Sequence, residues 1–235
     1  SYLVAKKVLD AAKDSGADAV HPGYGFLAEN ADFARAVAGA GMTWIGPNPK
    51  TIIDMGDKAS ARNLAEDAGV PIVPGSQRFV AGENDGLDAA GKEIGFPLLV
   101  KATAGGGGIG MKRVDEPAAL QETVEATENM AEKAFGDGTV YLEKLIERPR
   151  HIEIQLFGFG DGKAVHFFER ECSIQRRFQK IIEESPAPGL PPAIRDAMAN
   201  AAMALATQEN YQGAGTIEFI MAPDGNFYFL EMNTR

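Results

Sequence analysis

The sequence predicts an α/β protein with two regions of different architecture. Between residues 2 and 69, helical apolar spacing alternates with short strand-like runs, which favours a parallel sheet. From about residue 97 onwards strand-like segments predominate, as in an α+β arrangement.

The first region is predicted to contain helices separated by short strands. Apolar residues recur at helical spacing over 2–15, and Gly16 follows as a residue suited to the C′ position. Further helices are expected over about 29–40 and 55–69. "DAVHPGYGF" is predicted to be a short strand that runs into a Gly/Pro loop, and "MTWIG" is predicted to be a strand.

The second region begins with a β-β-α-β pattern. "FPLLVKA" and "MKRV" are predicted strands around a glycine loop, followed by a helix over about 116–134 and the strand "TVYLEKL". Further strands are expected at "HIEIQLFGF", "AVHFFERECS", "GTIEFIMA" and "FYFLEMN", with a helix over about 191–207.

Composition excludes several classes of function. The formal net charge is −10, so no overall field favours binding to nucleic acid or to an anionic membrane. The single cysteine, Cys172, excludes an internal disulfide framework, and the sequence shows neither a long apolar run nor a signal peptide. A cytoplasmic protein is expected. The chain begins within a helical pattern and stops directly after a strand, so we expect truncation at both ends.

The segment "KATAGGGGIGM" is predicted to be a flap between two antiparallel strands. It does not match the P-loop pattern, and the strand that follows it excludes a dinucleotide-binding fingerprint, which requires a helix there. Glycines allow backbone N–H groups to approach phosphates closely, and Lys101 would add a positive charge. The alternative is a flexible hairpin tip without a ligand.

The segment "GTIEFIMAPDGNFYFLEMN" predicts a hairpin that carries a metal site. If the loop is even and centred between Asp224 and Gly225, paired residue numbers sum to 449, which places Glu218 opposite Glu231. Asn233 follows on the same face, and Phe227 and Phe229 are expected there too. Two carboxylates and an amide oxygen suit Mg²⁺ or Mn²⁺. A solvated acidic face is the alternative.

A third cluster is basic. "HIEIQLF" alternates so that His151 and Glu153 share one face, and "ECSIQRRFQK" adds Arg176, Arg177 and Lys180. Beside a metal site this cluster could hold phosphate or another small anion, whereas alone it would be an ordinary solvated loop.

Taken together, the sequence resembles the ATP-grasp portion of biotin carboxylase. The motifs that carry the resemblance are "HPGYGFLAEN", "MGDK", "KATAGGGGIGM", "EKLIERPRHIEIQ", "RECSIQRRFQK" and "FLEMNTR". The resemblance implies part of the N-terminal domain over 1–57 and an ATP-grasp region over 58–235. That region would comprise a glycine-flap subdomain at about 73–145 and the start of a C-terminal subdomain at about 146–235.

The resemblance also implies roles for individual residues. Those that would contact ATP are Lys58, Lys101, Gly105, Gly106, Gly107, Gly108, Gly110, Met111, Glu143, Lys144, Leu145, His151 and Gln175. Glu218, Glu231 and Asn233 would hold the metal. Lys180 and Arg235 would bind bicarbonate and form the catalytic pair, with Glu29 beside the site. Phe178 and Ile109 depart from the residues common in the family.

The implied activity is the first half-reaction of a biotin-dependent carboxylase, which we expect to be an acyl-CoA carboxylase. ATP and bicarbonate would give carboxyphosphate, and the carboxyl group would pass to biotin on a carrier protein. A carboxyltransferase domain or subunit would select the acceptor, and the intact enzyme would be a homo-oligomer in the cytoplasm or mitochondrial matrix. The 235-residue chain alone is expected to be inactive.

Two other functions are compatible with the same residues. Another ATP-grasp ligase, such as a carbamoyl phosphate synthetase-like domain, would share the flap and the acidic hairpin but not "RECSIQRRFQK". A nucleotide-binding scaffold module without turnover is the alternative from a different class.

Overall fold

A computed structural model of the protein describes residues 2–103, 110–176 and 179–235. Within these residues the chain forms a two-stranded, a four-stranded and a five-stranded sheet. None of the described helices is both long and apolar enough to span a membrane.

The N-terminal region pairs its two short strands in parallel, as predicted. Its elements are α1 (Ala5–Asp14), β1 (Ala19–Val20), α2 (Ala31–Gly39), β2 (Thr43–Trp44) and α3 (Pro49–Gly56). Ala19 pairs with Thr43, and Phe33 and Val37 of α2 are buried in a small apolar core with Met42.

The single helix predicted over 55–69 is in fact two helices. α3 ends at Gly56, and α4 (Lys58–Asp67) begins after Asp57, whose backbone is extended. The Asp57 side chain accepts a hydrogen bond of 2.7 Å from the N–H of Ser60, which is the pattern of a helix N-cap. This break places Lys58 at the N-terminus of α4.

The four-stranded sheet is antiparallel and has the order β3-β6-β4-β5. Its region comprises β3 (Gly75–Phe79), α5 (Leu87–Ile94), β4 (Leu98–Ala102), β5 (Met111–Val114), α6 (Leu120–Phe135) and β6 (Val140–Lys144). The hairpin of β4 and β5 is as predicted, whereas α5 was not predicted. Leu98, Val100 and Leu142 point into the core shared with α5 and α6.

The five-stranded sheet is antiparallel too, with the order β11-β10-β7-β8-β9. Its elements are β7 (Arg150–Phe159), β8 (Ala164–Arg176), β9 (Gln179–Glu184), α7 (Pro192–Gln208), β10 (Gln212–Met221) and β11 (Phe227–Thr234). Ile152, Ile154 and Leu156 of β7 are fully buried in the core with α7 and α4, which confirms the predicted alternation. The polar side chains of β7 point to the opposite face of the sheet.

The hairpin of β10 and β11 contains a bulge at Leu230. Glu218 pairs with Glu231 as predicted, but on the turn side of the bulge Phe219 pairs with Phe229. Because the extra residue reverses the alternation, Phe229 and Phe227 pack in the core instead of lying beside Glu231. The predictions of an even loop and of the face of these two phenylalanines were wrong, because the pairs next to the turn sum to 448. The predicted pairing of the two glutamates is confirmed, since the bulge shifts the register by one residue.

We expect Gly158→Ala to lower the free energy of unfolding by about 3 kcal/mol, because overpacking against backbone cannot relax easily. A Cβ at this position of β7 would lie 2.1 Å from the carbonyl oxygen of Tyr211. Urea denaturation measures the change. The matched control is Gly39→Ala in α2, where nothing lies within 4 Å of the new Cβ, so stability should stay equal or rise. Equal effects of the two substitutions would contradict this packing of Gly158 against Tyr211.

Candidate active site

Three glutamates from adjacent strands lie in a row on the polar face of the five-stranded sheet. Glu218 of β10 pairs with Glu153 of β7 on one side and with Glu231 of β11 on the other. Glu153 and Glu218 are only 2% and 3% exposed. Directly opposed like charges are destabilising, so this arrangement requires positive charge close by.

Lys180 of β9 supplies that charge by bridging two of the glutamates. Its Nζ lies 2.6 Å from Glu153 Oε2 and 2.7 Å from Glu218 Oε1. Burial alone would lower the pKa of Lys180, but these two contacts outweigh it and raise the pKa. Lys180 is therefore a fixed cation at the centre of the cluster.

Glu218 is further held by His151 of β7. Burial would raise the pKa of Glu218, but hydrogen bonds from His151 and Lys180 lower it to about 2. His151 Nε2 lies 2.6 Å from Glu218 Oε2, and His151 Nδ1 lies 2.6 Å from the amide nitrogen of Gln175. The tautomer that satisfies both contacts carries its proton on Nε2. The structure thus brings together His151, Gln175 and Lys180.

Glu231 is the carboxylate of this row with the fewest polar contacts among the described residues. No hydrogen bond to its side chain is found among the described residues, and desolvation together with the charge of Glu218 raises the pKa of its carboxyl. Asn233 lies on the same face and its Nδ2 donates to Glu218 Oε1 over 2.6 Å. These oxygen-rich side chains on opposed strands suit Mg²⁺, whose charge would neutralise Glu231.

Lys58 lies between the carboxylates and the four-stranded sheet. It lines a cavity of about 140 Å³ with Glu29, Glu231 and Asn233. It also lines a larger cavity of about 550 Å³ with Tyr141 of β6. The prediction that Glu29 lies close to the candidate site agrees with this geometry.

Lys101 lies on the free face of the four-stranded sheet. Its Nζ donates to Glu143 Oε1 over 2.8 Å and lies 5.7 Å from the centre of the Tyr141 ring. Burial would lower the pKa of Lys101, but the carboxylate of Glu143 outweighs this effect and raises the pKa. Met111 pairs directly with Lys101 on β5. Lys101, Met111, Glu143 and Tyr141 therefore share one face.

The remaining predicted nucleotide residues are placed differently. Lys144 Nζ donates to the carbonyl oxygen of Gly95 over 3.2 Å, so its side chain lies away from Lys101. Leu145 donates its N–H to Pro97, and Gly110 accepts a hydrogen bond from Ala102 at the base of the glycine loop. The predicted residues Gly105, Gly106, Gly107 and Gly108 lie outside the described residues, as do Ile109, Arg177 and Phe178.

Arg235 is held through its backbone. Its N–H donates to the hydroxyl of Tyr211 over 3.1 Å, and that hydroxyl donates to the carbonyl oxygen of Ala214 over 2.9 Å. Tyr211 is 1% exposed, and burial raises the pKa of its hydroxyl, which stays neutral and able to donate. The end of β11 is thus tied to the start of β10.

Sequence reasoning missed three residues of this site. Arg170 of β8 donates to Glu153 over 2.6 Å, Arg62 of α4 contacts Glu143, and Tyr211 orders Arg235. The alternation of "ERECS" could have indicated Arg170 as a partner for a neighbouring strand. No local signal indicated Arg62 or Tyr211, because their partners lie far away in sequence.

The chain matches two family models. Residues 57–235 match the carbamoyl-phosphate synthase L chain, ATP binding domain, and residues 1–52 match the biotin carboxylase N-terminal domain. The chain belongs to the biotin carboxylase family. It is 50% identical over its full length to the biotin carboxylase of Nostoc sp., of which it covers 52%. It thus spans about half the length of the curated relatives it matches.

Solved structures of biotin carboxylases share the fold. A crystal structure of a biotin carboxylase β-γ-ATP complex from Campylobacter jejuni is 44% identical, with a TM-score of 0.90 over 100% of this chain and 52% of that one. The biotin carboxylase domain dimer of the Hydrogenobacter thermophilus 2-oxoglutarate carboxylase is 46% identical, with a TM-score of 0.87 over 100% of this chain and 51% of that one. That domain was solved with MgADP, ADP and bicarbonate. The ATP-grasp fold predicted from the sequence is confirmed.

We expect Lys180→Met to lower the free energy of unfolding by about 3 kcal/mol, because it leaves two buried carboxylates short of a cation. Urea denaturation at neutral pH measures this, and adding Glu153→Gln should recover part of the loss. Lys6→Met is the control, since Lys6 makes an exposed ion pair with Asp10 that contributes little. A loss for Lys180→Met no larger than for Lys6→Met would show that the cluster does not depend on this cation.

Proposed function

We propose that the intact protein uses ATP and bicarbonate to carboxylate biotin on a carrier protein. The observation that supports this most strongly is the placement of Lys180. This buried lysine lies between Glu153 and Glu218, in the same sheet face as Glu231 and His151. Fixed charges of both signs at one place suit a reaction that joins two anions with the help of a cation.

In this proposal, Lys58 and Lys101 bind the phosphates of ATP. The two lysines belong to different elements, α4 and β4, and Lys58 lines the cavity that also borders Tyr141 beneath Lys101. The glycine loop between β4 and β5 would add backbone N–H groups. Glu143, Met111 and the segment at Leu145 would border the rest of the nucleotide.

Glu218, Glu231 and Asn233 would hold Mg²⁺, or Mn²⁺ in its place. When bound, the ion neutralises phosphate charge as the phosphoryl group is transferred. The protein's own contribution is to keep Glu218 ionised through His151 and Lys180. An ionised carboxylate is the form that would coordinate the ion. The opposed position of Glu231 on β11 supplies the second carboxylate.

Lys180 and Arg235 would hold bicarbonate against the terminal phosphate. An oxygen of bicarbonate attacks the γ-phosphorus, the bond to the bridging oxygen breaks, and ADP leaves with that electron pair. The ureido nitrogen of biotin then bonds to the carboxyl carbon of the carboxyphosphate, the bond from that carbon to the phosphate oxygen breaks, and the departing phosphate takes up the ureido proton. Arg235 would stabilise the negative charge that develops on the ureido oxygen.

The partners, the acceptor and the cellular location of the intact protein also belong to this proposal. The Hydrogenobacter relative is a domain of a larger carboxylase and forms a dimer. By analogy, a biotinylated carrier, a carboxyltransferase and a second copy of the chain would be partners here. The expectations of an acyl-CoA acceptor and of a cytoplasmic or mitochondrial location stay predictions.

The test is to incubate the intact protein with MgATP and free biotin, with and without bicarbonate. ADP release that requires bicarbonate, together with carboxybiotin, would support the proposal. Carbamoyl phosphate formation with ammonia, and no carboxybiotin, would favour the carbamoyl phosphate synthetase-like alternative. Nucleotide binding without turnover would favour a scaffold role.

We expect Lys101→Ala to weaken MgATP binding by roughly 10- to 150-fold, because it removes a charge-assisted contact to phosphate. Calorimetry measures the dissociation constant. Lys112→Ala is the matched control, since Lys112 pairs with Val100 on the neighbouring strand and therefore lies on the other face of the sheet. An unchanged dissociation constant for Lys101→Ala would remove this lysine from the nucleotide site.

We expect Glu231→Gln to be about 0.2–1 kcal/mol more stable than the wild type without Mg²⁺, because it removes a like-charge contact with Glu218. With Mg²⁺ and ADP the order should reverse, since the variant loses a metal ligand. Thermal melting measures both states. Glu122→Gln, on the exposed side of α6, should respond to MgADP as the wild type does. Equal stabilisation of the wild type and Glu231→Gln by MgADP would contradict a shared metal site.

A further inference from the structure

Arg62 of α4 makes contacts with two other parts of the chain. Its guanidinium donates to the carbonyl oxygen of Val73, in the segment between α4 and β3. Its Nη1 also donates to Glu143 Oε2 of β6 over 3.4 Å. Arg62 therefore connects α4 to the four-stranded sheet.

The packing around Arg62 leaves a defined place for its guanidinium. A Cβ at Gly75 would lie 3.0 Å from Arg62 Nη2 and 2.9 Å from the carbonyl oxygen of Leu142. Only a residue without a side chain fits here without displacing the arginine or the strand. The side chain of Arg62 is 23% exposed and that of Glu143 is 11% exposed, so their contact is partly shielded from water.

Glu143 has a second cation as its partner. Lys101 Nζ lies 2.8 Å from Glu143 Oε1, while Arg62 approaches Oε2. One carboxylate thus lies between two cations, and the group of three keeps a net charge of about +1. Without Arg62, Lys101 and Glu143 would form a neutral pair.

The extra positive charge that Arg62 brings matters because Lys101 is proposed to bind phosphate. To reach a polyanion, Lys101 has to turn away from Glu143, which would leave a partly buried carboxylate without a cation. Arg62 keeps Glu143 neutralised while Lys101 turns.

The position of Arg62 on α4 has a second consequence, because Lys58 lies four residues earlier and therefore on the same helix face. Lys58 and Arg62 both line the cavity of about 550 Å³.

We propose that Arg62 is a positioning residue of the nucleotide site, which keeps Lys101 available for phosphate by neutralising Glu143 and fixes the helix face that presents Lys58. This inference rests on the proposed function of Lys101 and Lys58. Arg62 need not touch the nucleotide itself.

The first test compares MgADP binding by calorimetry in the intact protein. Arg62→Met, which keeps length but removes charge, should weaken binding about tenfold. Arg62→Lys should restore most of the affinity, since it returns a cation to Glu143. Arg78→Met is the matched control, because Arg78 lines the same cavity but pairs with Asp57 at 3.9 Å. A loss for Arg78→Met equal to that for Arg62→Met would mean that only the overall charge of the cavity matters, and would overturn the proposal.

The second test separates this inference from the proposed function. If Arg62 acts through Lys101, the double variant Arg62→Met with Lys101→Met should lose clearly less affinity for MgADP than the sum of the two single losses, because only the effect of Arg62 on Lys58 is left to lose. Fully additive losses would show that Arg62 acts independently, and the inference would fail while the nucleotide site stands. Wild-type binding by Lys101→Met would instead overturn the nucleotide site proposed for Lys101.

A third measurement excludes a purely structural effect. Steady-state kinetics of the intact protein should show a raised KM for ATP in Arg62→Met with little change in the KM for bicarbonate. A general loss of folded protein would lower kcat and leave both KM values unchanged, which would contradict a positioning role.

Discussion

Two buried carboxylates on neighbouring strands determine the chemistry of the five-stranded sheet. Glu153 and Glu218 face each other directly, and both are almost completely removed from water. Such a pair is stable only if cations and donors surround it. Lys180 of β9 and Arg170 of β8 supply them, together with His151 of β7. Side chains distant in sequence therefore meet at one place, beside the carboxylate of Glu231, the proposed metal ligand.

The second constraint is the connection between the two larger sheets. The segment after α4 pairs with both of them, because Pro71 accepts from the N–H of Phe229 in β11 and Pro74 accepts from the N–H of Lys144 in β6. Arg62 of α4 also donates to the carbonyl oxygen of Val73 in this segment. Strand β11 of one sheet and strand β6 of the other are thus connected through one short stretch of chain. This connection relates the proposed phosphate lysines to the proposed metal ligands.

Much of the local structure could be predicted from the sequence, because local patterns carry it. Alternation in "HIEIQLF" correctly separated the polar face from the core face, and the turn at "PDG" indicated the hairpin. The helix break at Asp57 was missed although its signal was local, since the side chain of Asp57 caps α4 through Ser60. The two phenylalanines of β11 were assigned to the wrong face, because no sequence pattern indicated the bulge at Leu230.

The sequence by itself determined which residue types are available, which face of a strand each occupies, and the family to which their motifs point. Only the tertiary structure decided the partners of the charged groups: Lys180 between two glutamates, and Glu143 between Lys101 and Arg62. The physical reason is that a charge interacts with whatever lies within a few ångströms of it, whatever the distance along the chain. Arg62 and Glu143 are distant in sequence, and only the folded chain places their side chains 3.4 Å apart.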